Sequence, residues 1–99
     1  MSSHPASVRI DDLGMTRLIG RPLLSKEAVV VNTPLASAIL RLLLGVSGHQ
    51  LEFDVLVEYV VTDRRILEEV GGATAKYRIF GVCKKLADLG FIVLEERAV

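Results

Sequence analysis

Glycines and threonines punctuate the last third of this chain so firmly that few local structures remain open to it. Thr62 or Asp63 can cap a short helix over Arg64–Val70, and Gly71-Gly72-Ala73 then makes a tight turn. Thr74 can cap a longer helix running to about Leu89. On that helix Ile79, Val82, Cys83, Leu86 and Leu89 recur on one face at the helical period. Gly90 stands where a left-handed residue closes a helix, and Phe91-Ile92-Val93-Leu94 reads as a strand. The order is short helix, turn, long helix, strand.

Upstream, residues 28–46 are apolar enough to pass for a membrane span, but Asn32-Thr33-Pro34 and Arg41 interrupt them. Thr33 can cap a helix, and Pro34 suits the first helical position because an N–H there would have no partner. The reading is a strand at Ala28–Val31 followed by a core helix. Leu35, Ile39, Leu42, Leu43 and Val46 face inward on it, and Gly45, Ser47 and Gly48 end it. Residues 50–61 carry two periods. Leu51, Phe53, Val55, Val57, Tyr59 and Val61 alternate as in a strand, whereas Leu56, Tyr59, Val60, Asp63, Leu67 and Val70 fit a helix. The favoured reading is a helix from about Asp54, broken at Thr62-Asp63, with Gln50–Glu52 as an extended lead-in.

Met1–Ala6 is expected to be a disordered tail. Ser7–Lys26 mixes an apolar patch (Val8, Ile10) with turn signals at Asp11-Asp12, Gly14, Gly20 and Arg21-Pro22, and reads as an irregular arm with room for one short strand. Residues 1–26 are thus tail and arm, and residues 27–99 the folded domain.

At 99 residues the chain is the size of one domain. It is 51% apolar but has only five aromatic residues and no Trp, so its core must be aliphatic. A chain this short exposes part of its apolar content, which points to a partner such as a second copy. The single cysteine, Cys83, rules out an internal disulfide and any multi-cysteine metal site, and fits a reducing, cytoplasmic setting. It lies on the inward helix face and reads as a small core hydrophobe. No apolar stretch of signal-peptide type follows Met1–Ser7, and no membrane partner is expected. His4 and His49 lack companions at ligand spacing, so no metal is expected. No Ser/His/Asp set, phosphate loop or carboxylate pair can be assembled. The chain reads as a non-enzyme without cofactors.

The phrase KKLADLGFI at the end of the second helix follows the pattern Leu-x-x-x-Gly-Leu/Phe-Ile at Leu86–Ile92. With the element order before it, it resembles the winged-helix family of helix-turn-helix DNA-binding domains over about Pro34–Leu94. The resemblance implies an α+β, mainly α fold: a trihelical winged-helix-like domain with a short β component. It also implies a homodimeric transcriptional regulator that binds double-stranded DNA. One departure stands out. Only nine residues follow Gly90, too few for a full wing of two strands and a loop. Phe91–Glu95 must then pair with Ala28–Val31, with the lead-in at Leu51, or with the N-terminal arm. Such a truncated wing leaves a second reading open, a protein-protein interaction adaptor or subunit of a larger assembly that does not touch DNA.

The residues themselves place a binding face on the long helix. With Ile79, Cys83 and Leu86 inward, Tyr77, Gly81, Lys84 and Asp88 form the outward centre, flanked by Lys76 on one side and by Arg78 and Lys85 on the other. Ala73–Ala87 carries four basic residues and no acidic one, while Glu52, Asp54 and Glu58 make residues 49–61 acidic. Thr74 and the helix-start N–H groups suit a phosphate. Arg64, Arg65, Arg78, Lys84 and Lys85 can neutralise phosphates. Lys76, Tyr77 and Arg78 lie in the first turns, where a recognition helix meets base edges. Gly81 costs helix stability, which makes sense where a groove wall or backbone comes close. Phe80, on the flank, reads as a core edge. Against strong nonspecific affinity stands a formal net charge of zero.

Overall fold

A computed structural model describes residues 5–20 and 22–96, with Val70 described by its backbone alone. Residues 1–4 of the tail expected at Met1–Ala6, His4 among them, and Arg21 lie outside the described residues; Ala6 is not tail but is bonded through its backbone to Glu95 and Phe53. The fold is α+β and mainly α, in the order β1 (Ser7–Arg9), α1 (Asp12–Ile19), α2 (Ser25–Val31), α3 (Pro34–Gly45), β2 (Gln50–Glu52), α4 (Phe53–Val61), α5 (Arg64–Val70), α6 (Ala75–Asp88) and β3 (Val93–Glu95).

The three strands form one antiparallel sheet in the order β2-β1-β3. Val8 sits opposite both Leu51 and Leu94 and is fully buried. The partner of the C-terminal strand is therefore the N-terminal arm, one of the three options left open by the sequence. No hairpin joins β1 to β3: the chain enters the sheet beside where it leaves, with the Ala6 N–H donating to the Glu95 carbonyl at 2.7 Å. The segment expected to be an irregular arm supplies the central strand and also α1. Asp11 caps that helix through the Gly14 N–H at 2.8 Å. Gly14 must be glycine, because the Phe91 carbonyl occupies the space a Cβ would need.

The strand expected at Ala28–Val31 is instead the C-terminal half of α2. The valines favour a strand, but the helix starts earlier and is fixed there. Glu27 accepts the Leu24 N–H at 3.0 Å and pairs with Arg17. Helix penalties for Val are a few tenths of a kcal/mol, roughly 0.5 each, which such anchoring overrides. Thr33 and Pro34 behave as read: the Thr33 hydroxyl caps the Ala36 N–H, and α2 and α3 meet there at 82°. No single helix among the described residues is long and apolar enough to cross a membrane.

The two-period segment resolves as a short strand and then helix, with the break at Thr62-Asp63. α3 packs against α4 and α6, and α6 also packs against α2 and α5. Between them lie Ile39, Leu43, Phe53, Leu56, Ile79, Leu86 and Phe91, all fully buried. The core is aliphatic with two aromatic rings. Cys83 belongs to it, and burial pushes its thiol up to about 12, so it stays protonated and unreactive at neutral pH.

Candidate nucleic-acid interface

The α5–turn–α6 unit is built from local bonds. Asp63 caps α5 through the Arg65 N–H at 2.9 Å. Gly71, at φ 72°, closes it by donating to the Leu67 carbonyl at 3.0 Å. Thr74 stands at the cap position of α6, but its hydroxyl makes no capping bond. The tight turn leaves its ψ at 4°, far from the extended value that swings a cap side chain over the helix start. At the far end Gly90, at φ 84°, donates to the Ala87 carbonyl, and the Phe91 N–H donates to the Leu86 carbonyl, both at 3.0 Å. This is a Schellman closure, with Phe91 and Leu86 both buried beside it.

On this frame the outward centre of α6 is where the helical period puts it. Tyr77, Gly81, Lys84 and Asp88 are all exposed, Tyr77 at 60%. The basic flanks differ from each other. On the α4 side, the Lys76 ammonium pairs with Asp54 at 2.9 Å, tying α6 to the acidic helix. Lys84 lies over the Phe80 ring, 5.8 Å from its centre, and Phe80 in turn meets Phe53 edge-on at 6.0 Å. Phe80 is half-buried, as a core edge should be. On the other flank, Arg78 donates to the Glu69 carbonyl at 3.0 Å and so clasps the end of α5. Lys85 is exposed there.

Arg78, Gly81 and Lys85 line one wall of a groove of about 410 Å³. Its opposite wall comes from Val29 and Val30 of α2 and from Thr33 and Leu35 at the start of α3, with Val82 and Glu69 completing it. A Cβ at Gly81 would meet nothing within 4 Å among the described residues, so none of them explains the glycine. Arg64 is exposed at the start of α5, and Arg65 lines a separate hollow that also holds Arg41 and Asp63. Of the nine residues singled out in the sequence, the structure thus brings Arg78, Gly81 and Lys85 together in the groove, sets Arg65 in the separate hollow, and turns Lys76 towards Asp54. The α2 wall escaped the sequence reading because its valines were taken for a strand.

Among the described residues no cluster of His, Cys, Asp and Glu could hold a metal ion. No protein-family model matches the chain, and comparison with curated proteins and with solved structures finds no match either. The functional reading therefore stands on the residues and their geometry.

Proposed function

We propose that the chain is a small cytoplasmic DNA-binding protein of winged-helix type, a homodimeric transcriptional regulator that carries α6 into the major groove. One observation supports this above the others: α6 buries Ile79, Cys83 and Leu86 in the core and leaves Tyr77, Gly81, Lys84 and Lys85 exposed on its outer side, with Arg64 and Arg65 exposed on the preceding helix. Helix-turn-helix proteins present a recognition helix this way, with its N-terminal residues towards base edges. The sheet supports the same reading. The strand that follows the long helix lies in a small antiparallel sheet, with β1 from the other end of the chain as its neighbour in place of a wing hairpin. Dimerisation would use the N-terminal helices, where Leu13, Ile19 and Leu24 are each about two-thirds exposed or more.

Lys76 and Arg78 are already engaged inside the chain, so phosphate neutralisation falls to Arg64, Arg65, Lys84 and Lys85. Four phosphates per protomer, eight per dimer, give a log–log salt slope of about −7. A titration with mixed duplex DNA at low salt tests the reading. Binding with that slope, lost in the double variant Lys84→Glu with Lys85→Glu, is expected; no binding, or binding untouched by the variant, would overturn it.

The same apolar residues on α1 and α2 favour a second reading, the interaction adaptor. Recovery of one stoichiometric protein partner, insensitive to nuclease, from a chain that ignores DNA would select it.

A further inference from the structure

We infer that the groove between α2 and α6 is a binding site for an amphipathic organic anion, an apolar body carrying one carboxylate. Its size, about 410 Å³, falls within the range of small-molecule sites, and like them it is mostly apolar with a few polar groups. Val29 and Val30 form one wall, Val82 the other, and the missing side chain of Gly81 leaves depth between them. Nothing among the described residues fills that depth, although a glycine in mid-helix weakens α6.

The two ends of the groove differ in charge. At one end Arg78 is held by the Glu69 backbone, and the Glu69 carboxylate also lines the groove, so an anion gains little there. Lys85 lies seven residues further along α6, about 10 Å at the helical rise. Glu69 is the sole carboxylate among the described lining residues, so the Lys85 end is cationic. An anion seats its carboxylate on Lys85 and its apolar body on the valines. The occupant would cover Arg78, Gly81 and Lys85, so it and DNA would exclude one another. That exclusion rests on the preceding reading; the binding itself does not.

The test uses the isotope-labelled protein without DNA, titrated with octanoate, octanol and octylamine and followed by amide NMR. Saturable shifts at Val29, Val30, Gly81, Val82 and Lys85 are expected with octanoate, at least about tenfold tighter than with octylamine, equivalent to 1.4 kcal/mol. Lys85→Glu should weaken octanoate by about tenfold, the loss of one charge-assisted contact. Gly81→Leu should abolish binding while holding the melting temperature, since its side chain enters open space. Val29→Glu, at a residue 72% exposed, should weaken binding from the opposite wall. Octanol or octylamine binding as well as octanoate, shifts away from the groove, or undiminished binding by Gly81→Leu would each overturn the inference. So would a wild-type dimer that Gly81→Leu turns into a monomer, since the groove would then belong to a second copy.

Discussion

The α5–turn–α6 unit and the β1–α1–α2 segment are held by opposite means. In the first, the bonds that shape the helix ends and the turn join near neighbours, Asp63 to Arg65, Gly71 to Leu67, Arg78 to Glu69 and Phe91 to Leu86, and Lys76 reaches out to Asp54. In the second, the fixed points lie far away in sequence. β1 pairs with residues 50–52 and 93–95, Gly14 rests on the Phe91 carbonyl, and Arg17 reaches across to the end of α6. That guanidinium donates to the Leu89 carbonyl, pairs with Glu27 and lies over the Phe91 ring at 4.8 Å. The locally closed unit presents a surface, and the distantly anchored segment holds that unit's far end in place. A change in the first should be felt where it is made; a change in the second should be felt across the molecule.

Arg17→Met should therefore be the most damaging single change. Glu27, 6% exposed, would keep its charge without its cation, and breaking such a buried pair costs about 3–5 kcal/mol. The lower end is expected, because the Leu24 N–H still serves the carboxylate. Arg78→Met removes a guanidinium of the same kind from the local unit, where it is exposed and bonds one carbonyl. It should cost about 1 kcal/mol or less. Urea denaturation of the two variants checks the contrast, and equal losses would erase it. Adding Glu27→Gln to Arg17→Met should recover part of the first loss.

Gly90→Ala probes the point where the two regions meet. A left-handed alanine costs roughly 1–2 kcal/mol, and its Cβ would also lie 2.5 Å from the Arg17 guanidinium. In an Arg17→Met background the second cost disappears, so the double variant should be more stable than the sum of the single losses predicts. Strict additivity in a double-mutant cycle would mean that Gly90 acts through its backbone alone.

The same division decides what could be read from the residues in advance. Gly71, Gly72 and Gly90 mark the limits of α5 and α6 through effects confined to a few neighbours, so those elements were legible, as were the outward positions of Tyr77, Gly81 and Lys84. Ser7–Arg9 is a strand only because two distant strands flank it. Val29-Val30-Val31 is helical because Glu27 anchors a helix start that three valines conceal. In the candidate site, the engagement of Lys76 by Asp54 joins two helices and leaves no trace in either one's pattern. The groove stayed hidden for the same reason, since one of its walls is α2.

Gly81→Ala should run the other way and stabilise the protein by about 0.5–1 kcal/mol, because an exposed helical glycine gains from a Cβ that meets nothing. Thermal melting of this variant is the sharpest check that the unit is locally held. A loss of stability would mean that position 81 is packed against something after all. If stability rises while DNA affinity falls, the glycine is kept for the partner and not for the fold.

The smallest effect belongs to the sheet edge, where the distant anchoring of β1 ends in a half-buried pair. Arg9 donates to Glu95 at 2.6 Å and the Ser7 hydroxyl does so at 3.2 Å. The Arg9 bond first, and the Ser7 bond after it, hold the Glu95 carboxyl below its ordinary 4.5. A folded-state value below the unfolded one means that the contribution is complete above pH 4.5 and is lost as pH falls through the depressed value. Because the pair is only half-buried and open to screening by salt, the effect is a slight one. Melting curves of the protein and of Glu95→Gln should differ a little at neutral pH, with the native protein higher, and should converge in acid well below 4.5. A difference that persists there would show that the Glu95 side chain acts without its charge, and no difference at any pH would leave the edge to the backbone pairing with β1 alone.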